Sequence, residues 1–175
     1  MKIGYYPQKY IKNNVVSFLE EHARCQPDKI AFYFLNKEAS QLEEFNHNSI
    51  TYSDLNSKIV SVAGGFSKLG IGRNDRVIVF VPISPELYIS IVALQHMGAI
   101  PVLLDSTARQ EQLAAIVQNS GPSGIIAPSA WLQTFKDRLD TFNIGVRIAS
   151  DKTMVESGIT KLTSLFSEAP QAITP

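Results

Sequence analysis

Apolar and polar positions along the chain form a repeating order of caps, stripes and short buried runs, sharpest between Ile50 and Asp105. Leu55, Ile59, Val62, Phe66 and Leu69 recur at spacings of four, three, four and three, which lays one continuous apolar stripe along a helix. Thr51-Tyr52-Ser53-Asp54 reads as the capping box that opens it, and Gly70 as the left-handed residue that stops it. Arg76–Val81 is then an almost unbroken β-branched and aromatic run. A strand without alternation is covered on both faces, which is the habit of parallel sheets.

The rhythm continues downstream. Ser84-Pro85-Glu86 supplies a serine cap, a proline at a position that needs no N–H, and an acid in the first turn. The helix that follows, to Met97, is apolar almost all round and is predicted to be deeply buried. Gly98 ends it before the strand Ile100–Leu104. Thr107 and Gln110 form a further capping box, with Leu113, Ile116 and Val117 inward and Gly121 as the stop. Ser123–Ala127 is a short strand, Ser129 caps a helix that turns Leu132, Phe135 and Leu139 inward, and Val146–Ala149 is a final strand.

Signals at the two ends are weaker. Asn13 or Asn14 can cap a first helix to about Cys25, with Val16, Leu19 and Ala23 on one face and a Glu20/Arg24 pair outside; Pro27 and Asp28 end it. Lys29–Leu35 is strand-like, and residues 36–48 have no period, which predicts a surface loop or hairpin tip. After Ser150, Leu162, Leu165 and Phe166 fit one helical turn or a short strand, and the final AlaProGlnAlaIleThrPro reads as linker. The domain reading is therefore an α/β unit over 1–150, clearest over 15–135, followed by a linker or partial element over 151–175. Its fold class is α/β, with a mainly parallel sheet and helices on both faces.

Composition narrows the class. With 175 residues the chain suits one domain with a sizeable core, and 45% hydrophobic against 18% charged residues excludes an extended disordered chain. Lys plus Arg equals Asp plus Glu, 16 each, so no global field draws it to nucleic acid or an anionic membrane. The most apolar stretch, Leu87–Leu104, is interrupted by Gln95, His96, Gly98 and Pro101, which excludes a membrane span of about 20 apolar residues. The N-terminus has no apolar core of a secretory signal. Cys25 stands alone, which rules out an internal disulfide or a cysteine zinc site and suits the cytoplasm; no His or Lys is placed to activate it.

A search for chemistry finds little. Neither GxGxxG nor a GxxxxGK loop occurs, Gly64-Gly65 lies inside a helix, and Gly70-Ile71-Gly72 precedes a strand, the reverse of the order a phosphate turn needs. There is no GxSxG elbow. His22, His47 and His96 have no metal spacing, and His96, near a helix C-terminus, reads as a partner of backbone carbonyls. Asp105 ends a predicted strand, where ligand sites of parallel sheets gather, yet it also suits an ordinary turn. Pro82 and Ser84 occupy the corresponding end of their strand, and Trp131 reads as packed against the sheet. No catalytic, cofactor-binding or metal-ligating residue is assigned.

Taken in order, Thr51-Tyr52-x-Asp54-Leu55, Leu69-Gly70-Ile71-Gly72-x-x-Asp75-Arg76-Val77, Pro82-x-Ser84-Pro85-Glu86, Met97–Asp105 and Asn119-Ser120-Gly121 resemble the N-terminal region of the AMP-forming adenylate synthetases. That superfamily includes acyl-CoA synthetases, adenylation domains of nonribosomal peptide synthetases and luciferases. The resemblance runs collinearly over residues 15–135; His96 stands where the family often has lysine, and Ser106 where proline is usual. It implies a parent enzyme that activates a carboxylic acid with ATP and Mg2+ to an acyl-adenylate and then, as a rule, passes the acyl group to a thiol such as CoA. The family's Ser/Thr/Gly-rich phosphate loop, ribose aspartate, hinge and catalytic lysine have no counterpart here, and Ile173-Thr174-Pro175 looks like the approach to that loop. The resemblance thus implies an N-terminal fragment, inactive by itself, with no cofactor of its own. The Gly98–Asp105 wording is closer to fatty-acyl and β-lactone-forming members than to amino-acid activators. Three alternatives stay open: a parent that is a β-lactone synthetase or a nonribosomal peptide synthetase adenylation domain, a short non-catalytic binding or scaffold module of the same fold, and an unrelated flavodoxin-like ligand-binding domain. Neighbours missing from the sheet would leave an open edge, which predicts dimerisation or aggregation.

Overall fold

The computed structural model describes residues 15–35, 47–104, 110–151, 153 and 156–167. The expected caps at Asn13 or Asn14 and at Thr107, the hairpin tip over 36–46, and Asp105 lie outside them.

The predicted stripe is helix α2, Tyr52–Lys68, and its cap is in place: Thr51 Oγ1 accepts the N–H of Asp54 at 3.1 Å. Leu55, Ile59, Val62 and Phe66 are buried along it, and Gly70 takes φ +90° at its end. Thr51→Ala should cost about 1 kcal/mol, as loss of a side-chain cap does, and lower the melting temperature by about 2–4 °C in a circular dichroism melt.

Five strands form a parallel sheet in the order β4 (Ile100–Leu103), β3 (Arg76–Val79), β5 (Gly124–Ala127), β6 (Val146–Ala149) and β7 (Thr160–Lys161). The unbroken apolar run of β3 is explained by two cores, one on each face of the sheet. Val77 and Val79 join Ile126 and Ile148 in a core closed by α2, by α3 (Pro85–His96) and by a 3₁₀ helix (Leu162–Ser167). Ile78 joins Ile125, Ala127 and Ala149 in a second core with Val117 of α4 (Gln110–Ser120), Leu132 of α5 (Ser129–Thr134) and Leu139 of α6 (Lys136–Thr141). The chain leaves β3 towards β4 over the first face and returns past β3 to β5 over the second. The covering face changes as the direction reverses, as crossovers of one hand require.

Several expectations are corrected. Residues 47–48 are not loop: β2 (His47–Thr51) pairs antiparallel with β1 (Ile30–Leu35), and pairing with burial of Ile50 outweighs the weak strand propensity of Asn48 and Ser49. Helix α3 is less deeply buried than its composition suggests, because it packs beside the edge strand and leaves Tyr88 exposed with Leu87, Ile91 and Val92 half-buried. On α1 (Val15–Cys25) the guanidinium of Arg24 forks onto Glu21, one turn back, and Glu20 reaches across to His96 instead. The stretch after Ser150 carries β7 and the 3₁₀ helix, whose Leu162 and Leu165 are buried.

Candidate functional site

The strand order makes the carboxyl ends of β3 and β5 a topological switch point. From there the chain crosses to β4 on one side while β5, β6 and β7 build the other, and such points open a crevice in parallel sheets. Among the described residues the last rung between the two strands is the N–H of Phe80 on the carbonyl of Ile126, 2.8 Å. One wall of the crevice is Phe80–Ser84, with Pro82 exposed and Ile83 83% exposed. The other is the Pro128–Ser129 turn into α5. Trp131, one turn into α5, lies 5.3 Å from the ring of Phe80 and stacks on Phe135 at 4.3 Å, so it does pack against the sheet, at this end of it.

Ser129 does not cap its helix, as the sequence suggests it should. Pro128 holds the cap position and has no side chain able to accept, so Asp151, from beyond β6, supplies the acceptor. Its Oδ2 accepts the N–H of Ser129 at 2.7 Å and the Ser129 hydroxyl at 3.1 Å, and its Oδ1 accepts the N–H of Thr153 at 3.2 Å. Partial burial pushes the Asp151 carboxyl upward, but these donors from Ser129 and Thr153 outweigh it and hold the group below the usual aspartate range. A depressed carboxylate contributes stability above its unfolded value, about pH 4, and loses it as the pH falls towards the folded value. Acid titration monitored at the Ser129 amide should therefore show this turn loosening below about pH 4, and Asp151→Asn should flatten that response.

The other sequence-marked residues are scattered. Ser84 Oγ accepts the N–H of Leu87 at 3.4 Å and so acts as the predicted cap. His96 faces the Glu20 carboxylate, Nδ1 to Oε1 3.5 Å, rather than backbone carbonyls, because α1 crosses α3 there. His22 stacks on Tyr52 at 4.9 Å. Cys25 is exposed, and the Glu21 carboxylate 3.1 Å from its sulfur pushes the thiol up, which disfavours the reactive thiolate. Among the described residues no group of three or more His, Cys, Asp or Glu could hold a metal.

Gly70 and Gly72 lie at the amino end of β3, opposite the crevice, and Gly72 N–H is already held by Asp75 Oδ2 at 2.7 Å. Gly65 is consumed by packing: a Cβ there would meet Leu165 Cδ2 at 2.8 Å. A separate recess of about 160 Å³ lies between Gln133, Lys136, Arg147, Glu156 and Ile159, and its cations are taken, Lys136 by Glu156 at 3.8 Å and Arg147 by Asp140. Among the described residues, this end of the sheet offers an exposed apolar lip at Ile83, the paired rings of Phe80 and Trp131, and backbone polar groups.

A family model described as AMP-binding enzyme matches residues 19–172, nearly the whole chain. The chain belongs to the AMP-binding enzyme family. Within that family it is 29% identical over 113 residues to the olefin beta-lactone synthetase of Xanthomonas campestris pv. campestris, covering 65% of this chain and 20% of that protein. It is 25% identical over 126 residues to the acetyl-coenzyme A synthetase of Pseudoalteromonas translucida, covering 72% and 19%. Its fold matches the acetoacetyl-CoA synthetase of Streptomyces lividans with a TM-score of 0.74 at 16% identity, over 90% of this chain and 26% of that one. The chain thus spans about a fifth of the length of the curated relatives it matches. The fold class read from the sequence agrees with this neighbour, and no helix among the described residues is long and apolar enough to cross a membrane.

Proposed function

We propose that this chain is the opening α/β lobe of an AMP-forming acid ligase, which lends one wall of the acid-activating site and none of its reacting groups. The observation that carries the reading is the family match over residues 19–172, taken with a switch-point crevice that has no phosphate cradle and no acid–base pair among the described residues. The complete ligase would use ATP and Mg2+ to convert a carboxylic acid to its acyl-adenylate and pass the acyl group to a thiol, CoA being the usual acceptor. The exposed Ile83 and the aromatic row at Phe80 and Trp131 favour an apolar acid of the fatty-acyl kind. That is also the direction in which the Gly98–Asp105 wording points. The lobe is assigned residues 1–150, with 151–175 leading onward and the 3₁₀ helix as its last docked element. A cytoplasmic setting is proposed on the single cysteine, whose thiol is pushed away from reactivity.

Calorimetry of the chain with ATP-Mg2+ tests the assignment of roles: no measurable heat is expected, and tight binding would show a self-contained nucleotide site and overturn it. The edge strand β4 bears Leu103, 63% exposed, and Ile100, which favours self-association through that edge. Sedimentation over a concentration series should show dimer or larger species growing in; a clean monomer throughout would remove this part of the proposal.

A further inference from the structure

The β5 lip of the crevice is held from outside itself. Pro128 cannot cap α5, and both the amide and the hydroxyl of Ser129 are claimed by a carboxylate 22 residues further along the chain. That carboxylate stands where β6 has just ended, since the N–H of Ser150 makes the last rung on the carbonyl of Ala127 at 2.9 Å. The same group also accepts the N–H of Thr153, so one side chain gathers three donors from two segments. Trp131, whose ring packs on that of Phe80 at 5.3 Å, is two residues beyond Ser129 in the same short helix. Two nearby cations are paired elsewhere, Arg147 with Asp140 and Lys136 with Glu156.

We infer that Asp151 is a positioning residue for the crevice: it fixes the Pro128–Ser129 lip, and with it Trp131, to the connection that leads from β6 to β7. The inference rests on the crevice being the ligand wall of the proposed function. Any ligand seated between Phe80–Ser84 and this lip then meets a wall whose place is set by the chain after β6. Movement in that connection is felt at the crevice without any residue of the connection touching the ligand.

Amide hydrogen exchange on the intact chain tests this without a ligand, so failure of the clamp is separable from failure of the proposed function, whose assignment of roles the calorimetry addresses. In Asp151→Ala the Ser129 amide should exchange at least about tenfold faster while Val77–Val79 of β3 keep their protection, the mark of local opening. Asp151→Asn keeps an oxygen able to accept from Ser129, so its rate should fall between the wild type and the alanine variant. If the alanine variant does not fold, a severalfold rise at Ser129 in the asparagine variant, with β3 unchanged, supports the clamp. Unchanged exchange at Ser129 in either variant, or a rise shared equally by β3, would overturn it.

Discussion

Replacing Leu162 and Leu165 together by alanine is expected to abolish the cooperative melting of the chain. Both side chains are buried, at 0% and 3% exposed, and both lie in the core shared by α2, α3 and the first face of the sheet. Each large-to-small change in a core costs about 2–5 kcal/mol, because the cavity is only partly refilled. Two neighbouring losses do not add strictly, yet their joint cost approaches the roughly 5–15 kcal/mol that holds a domain of this size folded. Circular dichroism should show a broad, weakly cooperative melt for the double variant. Ser164→Ala, on the exposed side of the same 3₁₀ helix, loses the hydroxyl's bond to the Lys161 carbonyl and should cost no more than about 1 kcal/mol. A sharp transition in the double variant would mean that the 3₁₀ helix rests on the core without completing it.

The second large effect is expected at Gly65. Helix α2 approaches the 3₁₀ helix so closely that a Cβ at this position would stand 2.8 Å from Leu165 Cδ2 and 3.1 Å from Leu165 Cβ. Gly65→Val adds a branched side chain at that contact, and overpacking costs about 1–3 kcal/mol. An exposed helical glycine would behave in the opposite way, since its replacement by valine there gains roughly a few tenths of a kcal/mol in helix propensity. The sign of the change therefore reports the packing. Gly65→Val combined with Leu165→Ala should be more stable than the sum of the two single losses, as expected when the second change makes room for the first. Additive losses in denaturant unfolding would show that Gly65 and Leu165 do not press on each other.

These two contacts show how far the sequence could be read. The α2 stripe, its Thr51 cap and its Gly70 stop were legible because each depends on residues within a turn or two of one another. The double coverage of β3 was legible because a run without alternation has no solvent face, and Ile78 and its neighbours Val77 and Val79 do enter different cores. Residues far apart in sequence were not legible. Gly65 could be placed in a helix, but its need to be glycine depends on Leu165, a hundred positions away. The Ser129 hydroxyl suggested a cap, whereas its partner is Asp151, and nothing local announces a carboxylate arriving from the next strand. Likewise His96 was read against its own helix end, but α1 brings Glu20 to it. The one available signal was Pro128, which cannot cap and so requires an acceptor from elsewhere. Strand order, and with it the switch-point crevice, follows from how the crossovers pack and not from any single segment.

The central claim is that this lobe serves an acid-activating machinery lying outside it. The measurement that bears on it most directly is the nucleotide sequence of the encoding gene beyond codon 175. An open frame is expected there that soon encodes a Ser/Thr/Gly-rich loop ending in Pro-Lys-Gly, and later the ribose aspartate and the catalytic lysine of the family. A stop codon there, with no such loop downstream, would contradict it and leave a stand-alone binding module as the function of the fold.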